Sequence, residues 1–386
     1  MRIVHTSDWH AGRTWKGIQR LAELGNVLEH LGDFLEHEKI DLLLMSGDIF
    51  DNNAPPPEAE KLVFSFFKRV GQAGIPSVVI AGNHDSPTRV EAWGTLAELV
   101  RVHALGLPRK AEEGGVIEIE SHSGERAQVA AVPFAPVHRM VTALELAGDE
   151  RKTKRQYDAM MREIFSHLSR RFTEGTINLL MAHTHLAGVT FSGSEREVHL
   201  GEQWETTPQA FPSSAQYVAL GHIHRAQQIE ASPAPACYAG SPLQLDFGEE
   251  GEDKTFVVVE AEPGRPGQCE WIAYEGGESL RTIESSLESL ECDADQLSRS
   301  GWLRVRVPLA APDPDVNGKV RRLLPNAVVV EVELPEPPTE ARDQHPPRSS
   351  PPRELYRAYS LAHHGDEPEP KLLEVFDRLY AGSETD

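Results

Sequence analysis

The chain has 386 residues, and at roughly 100–200 residues per domain it should divide into two or three units. With 39% apolar and 25% charged residues it can bury a sizeable core, which excludes a disordered chain, and no apolar run approaches the roughly 18 residues of a membrane span. The formal charge of −22 limits where a polyanion could lie, because phosphate contacts need Lys and Arg.

The acid is unevenly spread. Glu249 to Asp295 holds fourteen Asp/Glu against Lys254, Arg265 and Arg281, whereas Arg151 to Arg171 carries seven Lys/Arg against Asp158 and Glu163. Met1 to Asp8 lacks the basic start and apolar stretch of a signal peptide. Cys237, Cys269 and Cys292 form no CxxC pair, and an odd set of thiols argues against a disulfide framework. The expected compartment is the cytoplasm.

From the N-terminus, short apolar strands alternate with helical stretches. Ile3-Val4 reads as a strand, and Lys16 to Lys39 has helical spacing in Leu21, Leu24, Leu28, Leu31 and Leu35. Leu42 to Met45 is a strand, Glu58 to Val70 a helix, and Val78 to Ile80 a strand. Further strands fall at Val129 to Val132, Asn178 to Met181 and Tyr217 to Leu220. Unbroken apolar runs of this kind suit strands buried on both faces, so the fold class is α/β: a layered β-sandwich flanked by helices.

From about Gly264 the texture changes. Trp302 to Val307 alternates with period two, Asp315 to Leu324 looks helical and Ala327 to Val332 is another strand, which makes a small α+β unit. Seven prolines between Pro335 and Pro352 mark a linker that cannot build a core. Two short amphipathic segments follow, Glu354 to His363 and Pro370 to Tyr380. The expected units are therefore 1–264, 265–334, a Pro-rich linker 335–353 and a helical tail 354–386.

Each cluster of metal-type residues sits just after a strand: Asp8-Trp9-His10, Gly47-Asp48-Ile49-Phe50-Asp51, Gly82-Asn83-His84-Asp85, His183, and Gly221-His222-Ile223-His224. In open α/β sheets ligands bind at the carboxyl ends of strands. Singly, each has a plain reading: Asp-x-His as a turn, Gly-Asp as a capped turn, Gly-Asn as a source of positive φ. Five of them in succession at strand ends should converge on one rim. Carboxylate, amide oxygen and imidazole without thiolate suit Mn²⁺, Fe or Zn²⁺. The donors outnumber the needs of one ion, so two ions about 3.5–4 Å apart are expected, with a carboxylate bridging them. His183 and His185 both lie near one strand end, and the spacing to Gly188 favours His183. Trp9, Phe50 and Trp93 read as packing residues and His5 as a surface or structural histidine.

The order Asp-x-His, Gly-Asp-x-x-Asp, Gly-Asn-His-Asp, His, Gly-His-x-His resembles that of the calcineurin-like metallophosphoesterases. Within them the chain is similar to the bacterial SbcD family of nuclease subunits of SbcCD complexes. The match extends to Arg225-Ala226-Gln227, Tyr238-Ala239-Gly240-Ser241-Pro242, Asp246-Phe247-Gly248-Glu249 and Glu354-Leu355-Tyr356-Arg357-Ala358-Tyr359. The resemblance implies one ion among Asp8, His10, Asp48 and His224 and a second among Asp48, Asn83, His183 and His222. It makes His84 the catalytic histidine, with Asp51 orienting and charging its imidazole.

The resemblance also implies a Mn²⁺-dependent DNA nuclease, acting as a 3′→5′ exonuclease on duplex ends and an endonuclease on single strands and hairpins, in DNA repair and recombination. Its units would be a nuclease domain, a capping domain that positions DNA, and a tail that docks an SbcC-type coiled-coil ATPase. It further implies a homodimer within a heterotetramer, no membrane partner, and association with the nucleoid when DNA is bound. Arg151 to Arg171, Lys319, Arg321 and Arg322 are candidate DNA-backbone contacts. The alternative is a small-molecule or protein phosphatase on the same scaffold; the resemblance implies Asp-Arg-Gly and Gly-Asn-His-Glu in a protein phosphatase, where this chain has Asp51-Asn52-Asn53 and Gly82-Asn83-His84-Asp85. An inactive scaffold would lack ligands, and none is missing.

Overall fold

The computed structural model describes residues 1–121, 123–134, 153–195, 205–334, 350–364 and 367–383. Most of the Pro-rich linker, 335–349, and the start of the basic stretch, Arg151 and Lys152, lie outside the described residues.

Two six-stranded sheets face each other. The first contains β1 (Arg2–Thr6), β2 (Leu42–Met45), β3 (Ser77–Ile80) and β4 (Val102–Leu105), all parallel. The second contains β5 (Val116–Glu120), β6 (Arg126–Val132), β7 (Ile177–His183), β8 (Tyr217–Gly221), β9 (Gln227–Gln228) and β10 (Ala236–Tyr238). β11 (Thr255–Glu260) and β12 (Gln268–Ala273) complete the first sheet on its β1 edge. Its order is β12-β11-β1-β2-β3-β4, and that of the second is β9-β10-β8-β7-β6-β5.

The apolar runs divide by strand parity. Ile3, Leu42, Leu44, Val78 and Ile80 point inward and meet Val129, Leu179, Met181 and Ala219 of the second sheet. Val4, Leu43, Met45 and Val79 point outward and are covered by α1 (Leu21–His37) and α2 (Pro57–Gln72). The other outer face, with Leu180, Ala182, Val218 and Leu220, is covered by Tyr157, Met160, Met161, Phe165 and Leu168. Those five lie on a helix that follows α3 (Pro87–Ala97) in the chain; this helix is α4 (Thr153–Ser169). The result is a four-layer helix–sheet–sheet–helix sandwich, the layered architecture expected from unbroken apolar runs. Trp9 is core, wedged between Phe66 and Phe67 at centroid distances of 5.1 and 5.5 Å.

Gln268–Ala273 falls inside the segment 265–334, yet it pairs along its length with β11, Val258 opposite Glu270. These residues therefore go with the first sheet. The residues beyond form a parallel three-stranded sheet of β13 (Leu280–Glu284), β14 (Trp302–Pro308) and β15 (Ala327–Glu333). It is packed by α5 (Leu287–Leu297) and α6 (Val316–Leu323) around Leu290, Leu303, Val305 and Val320. In the tail, α7 (Pro352–His364) and α8 (Pro370–Ser383) pack together through Tyr356 stacked on Phe376 at 4.5 Å. No helix among the described residues is long and apolar enough to cross a membrane.

Candidate metal centre

The rim of the sandwich is built by five strand ends. Asp8 and His10 follow β1, Asp48 follows β2, Asn83 and His84 follow β3, His183 ends β7, and His222 and His224 follow β8. Parallel pairing within each sheet brings these ends to one side. Four of the converging residues hold positive φ: Asp8 at 53°, His10 at 45°, Asp48 at 50° and His222 at 107°. Such backbones are strained for non-glycine residues and persist where surrounding structure over-determines them.

Glycines make the space. A Cβ on Gly82 would lie 2.1 Å from Asp48 Oδ1, and one on Gly47 would lie 2.4 Å from His183 Nδ1. Gly221 packs against the Ser46 carbonyl and Ser7 in the same way.

The donors fall into three overlapping groups, one of which brings His84 together with His10 and Asp48. Asp8, His10 and His224 offer ligand atoms within 4.8 Å of one another, and so do Asp48, His183 and His222. His10 Nε2 faces His224 Nε2 at 3.0 Å. Asn83 Oδ1 lies 3.0 Å from His183 Nε2 and 2.9 Å from His222 Nδ1. Asp48 joins the groups, its Oδ2 lying 3.8 Å from His10 Nε2 and 3.5 Å from His183 Nε2. All the residues expected at the centre are brought together. His185 is in none of these groups: its ring packs on Phe191 at 4.9 Å and lies 6.3 Å from that of His222.

The ligand-like rings are oriented from behind. His183 Nδ1 donates to the Ser46 carbonyl at 2.8 Å, leaving Nε2 to face Asp48 and Asn83. The backbone N–H of His222 donates to Asp8 at 3.1 Å. His224 Nδ1 meets Ser194 Oγ at 2.6 Å and Glu249 Oε1 at 3.5 Å. Such outer partners fix the tautomer and aim of ligating histidines.

Asp51 departs from its expected role. His84 Nδ1 donates to the backbone carbonyl of Asp51 at 2.7 Å, so the carbonyl and not the carboxylate orients the imidazole. The Asp51 carboxylate turns instead to His10 Nδ1 and to Arg13, each at 3.4 Å. Sequence spacing could place Asp51 beside His84 but could not say which of its oxygens would face the ring.

Charge in the cleft favours cations. Burial pushes the Asp8 carboxyl up to about 6, against the opposing pull of His183 and His224. Burial and the charge of Asp48 raise Asp85 to about 6 as well, although backbone N–H groups of Gly82, Phe50 and Ile49 bond to it. Burial opposes ionisation of Asp48 too, but His183, His84 and His10 hold its carboxyl well below the usual range. Burial drives His10 down to about 4 and His222 below its ordinary value, so these rings present lone pairs. Burial would lower His183, but Asp48 and Asp8 raise it to about 9. Buried carboxylates and imidazoles crowded at one rim are what divalent cations relieve, and the N/O donor set without thiolate fits Mn²⁺, Fe or Zn²⁺.

Several supporting residues carried no assignment from sequence. Asp85 ties together three loop N–H groups beneath Asp48. Glu249 is 0% exposed and pairs with Lys254 at 2.5 Å behind His224. Burial would raise its carboxyl, but His224 and Lys254 hold it down, to about 2. Its only sequence signal is membership of the Asp246-Phe247-Gly248-Glu249 stretch. Three of the basic residues expected to touch DNA are already paired: Arg162 with Asp158 and the Gln209 carbonyl, Lys319 with Asp313, Arg322 with Asp315. Exposed pairs of this kind are weak enough to be exchanged for phosphate.

Comparison with known proteins adds the lineage. Residues 1–226 match the model of the family described as calcineurin-like phosphoesterase. The chain is 36% identical over 281 residues to SbcD of the nuclease SbcCD from Bacillus subtilis, covering 72% of this chain and 71% of that one. It is 33% identical to SbcD from Rhodobacter capsulatus, covering 68% of this chain and 67% of that one. It is 26% identical to SbcD from Escherichia coli K12, covering 89% and 87%. With the clustered donors and these similarities together, the chain belongs to the calcineurin-like phosphoesterases, in the SbcD branch of nucleases, and is a metal-dependent phosphodiester hydrolase.

Proposed function

We propose that this chain is the nuclease component of a DNA end-processing complex, cutting duplex ends 3′→5′ and opening single strands and hairpins with Mn²⁺. The observation that carries this reading is the set of overlapping donor groups joined through Asp48. Asp8, His10, Asp48 and His224 would hold one ion, and Asp48, Asn83, His183 and His222 the other. Two divalent cations bound there supply positive charge to the attacking and leaving oxygens of a displacement at phosphorus. His84, fixed through Nδ1 by the Asp51 carbonyl, keeps Nε2 free to hand a proton to the leaving 3′ oxygen. Asp51 and Arg13 support His10.

The unit of β13–β15 would cap the rim and position DNA, with the change of unit placed after β12. The tail carries Tyr359, Leu361, Leu372 and Val375 outward, an apolar surface suited to an SbcC-type coiled-coil ATPase. A second copy of the chain would pair on α2, α3 and the following turn, where Phe64, Leu96 and Leu99 are 37%, 72% and 84% exposed. Such a complex works on chromosomal DNA in the cytoplasm.

The test is cleavage of a 3′-labelled duplex with Mn²⁺, with chelator, and by His84→Gln. Cleavage should require the metal, and His84→Gln should keep both ions while turnover falls by about 10²–10⁴. Faster turnover of a phosphomonoester than of the duplex, or full activity in His84→Gln, would overturn the reading.

A further inference from the structure

Between the metal centre and the three-stranded unit lies one short turn, Asp246 to Glu250, built on a 3₁₀ helix over Phe247–Glu249. Its two consecutive glutamates face opposite ways. Glu249 points inward: Oε1 meets His224 Nδ1 at 3.5 Å and bonds to Ser194, while Oε2 takes Lys254 at 2.5 Å and the Leu245 N–H at 3.0 Å. Glu250 points outward and accepts both the N–H and the Oγ–H of Thr282 on β13, at 2.7 and 2.6 Å.

The turn is itself rigid. Asp246 caps it, accepting from the Phe247 N–H at 2.7 Å and from Trp15 Nε1 at 3.1 Å. Phe247 is clamped by the Arg304 guanidinium of β14, 4.4 Å from the ring centroid, and packs with Trp15 and Leu280.

We infer that this turn couples the placement of the β13–β15 unit to the metal centre, with Glu249 as the residue that positions His224. The inference rests on the two-ion reading of the centre given above. Glu249 and Glu250 are adjacent in a capped turn, so a backbone shift at one carries the other. A displacement of β13 that draws on Glu250 therefore moves the carboxylate behind His224, and with it the direction of Nε2, which faces His10 Nε2 at 3.0 Å. The converse follows by linkage: an ion held by His224 favours one placement of the unit, because coupling between two sites is reciprocal. A capping unit seated by its substrate would in this way tighten one half of the centre.

The experiment is a Mn²⁺ titration of the full-length protein followed by electron paramagnetic resonance. Glu249→Gln should weaken one of the two ions by about ten- to hundredfold, the usual effect of removing an outer partner of a ligating histidine. The combination of Glu250→Gln, exposed, with Thr282→Val, half-buried, both outside the donor groups, should weaken that same ion several-fold and leave the other unchanged. A purely structural role would instead lower thermal stability without singling out one ion. Should Glu249→Gln leave Lys254 unpaired and unfold the chain, Glu249→Gln with Lys254→Met removes both charges, and if neither folds the Glu250→Gln/Thr282→Val variant decides. Unchanged Mn²⁺ affinity in a folded Glu249 variant overturns the positioning role, and unchanged affinity in Glu250→Gln/Thr282→Val overturns the coupling. A wild-type protein that binds both ions but cuts no DNA removes the nuclease reading and leaves this one standing.

Discussion

Replacing Gly82 with Ala tests whether Asp48 is the joint of the centre. Gly82 carries no positive φ, so the added methyl group acts through space alone. Its Cβ would sit 2.1 Å from Asp48 Oδ1 and 2.3 Å from Asp48 N, against ordinary contact beginning at 3.4 Å. The carboxylate must retreat by about 1 Å, which breaks its 2.8 Å bond from the His84 N–H and carries Oδ2 away from His10 and His183. Metal geometry tolerates about 0.2 Å, so affinity should fall by a hundredfold or more. At a Mn²⁺ concentration of about 100 Kd the wild type gains about 2.7 kcal/mol, whereas a hundredfold weaker variant gains about 0.4 kcal/mol. Overpacking itself should cost the apoprotein about 1–3 kcal/mol. Thermal unfolding with and without Mn²⁺ separates the two effects. Gly175→Ala, where an added Cβ meets nothing within 4 Å, is the control. A Gly82→Ala protein with the full Mn²⁺-induced rise in Tm would refute the reasoning.

Three further outcomes follow from other parts of the molecule. His5 is buried, 2.8 Å from both the Tyr217 hydroxyl and Ser46 Oγ, and burial drives its pKa down to about 3 from 6.5. The unfolded chain thus binds the extra proton: His5 costs nothing above about pH 6.5 and about 2 kcal/mol of stability at pH 5. Urea unfolding of the apoprotein at both pH values should show His5→Gln losing about that much less on acidification, and parallel losses would contradict it. Deleting residues 350–386 should abolish co-purification with the partner ATPase while sparing Mn²⁺-dependent cleavage, and retained co-purification would show that the tail is not the dock. Leu96→Glu with Leu99→Glu should give a monomer by light scattering with the metal centre intact, and an unaltered mass would move the self-association surface elsewhere.

Local sequence was enough for the sandwich and for naming residues that gather at its rim. Four-residue apolar runs such as Leu42 to Met45 can be buried on both faces only in a covered parallel sheet, and parallel strands carry their following loops to one rim. That is why Asp8, Asp48, Asn83, His183 and His222 could be grouped without knowing any distance. Tertiary structure decided what depends on long-range pairing and on side-chain direction. Gln268–Ala273 joins the first sheet because its partner is β11, a pairing that its alternating polar pattern does not reveal. Helix α3 buries only Val90 and Gly94 and so carries little periodic signal. Asp51 turns its carboxylate to His10 because the carbonyl already occupies His84 Nδ1. Glu249 lies 25 residues beyond His224, and only the packing of its turn brings the two within 3.5 Å. Residue type and strand order determine which groups can meet, because they follow from local periodicity. Which atom of each group faces the cleft is set by hydrogen bonds between segments distant in the chain, and these exist only once the sheets have closed.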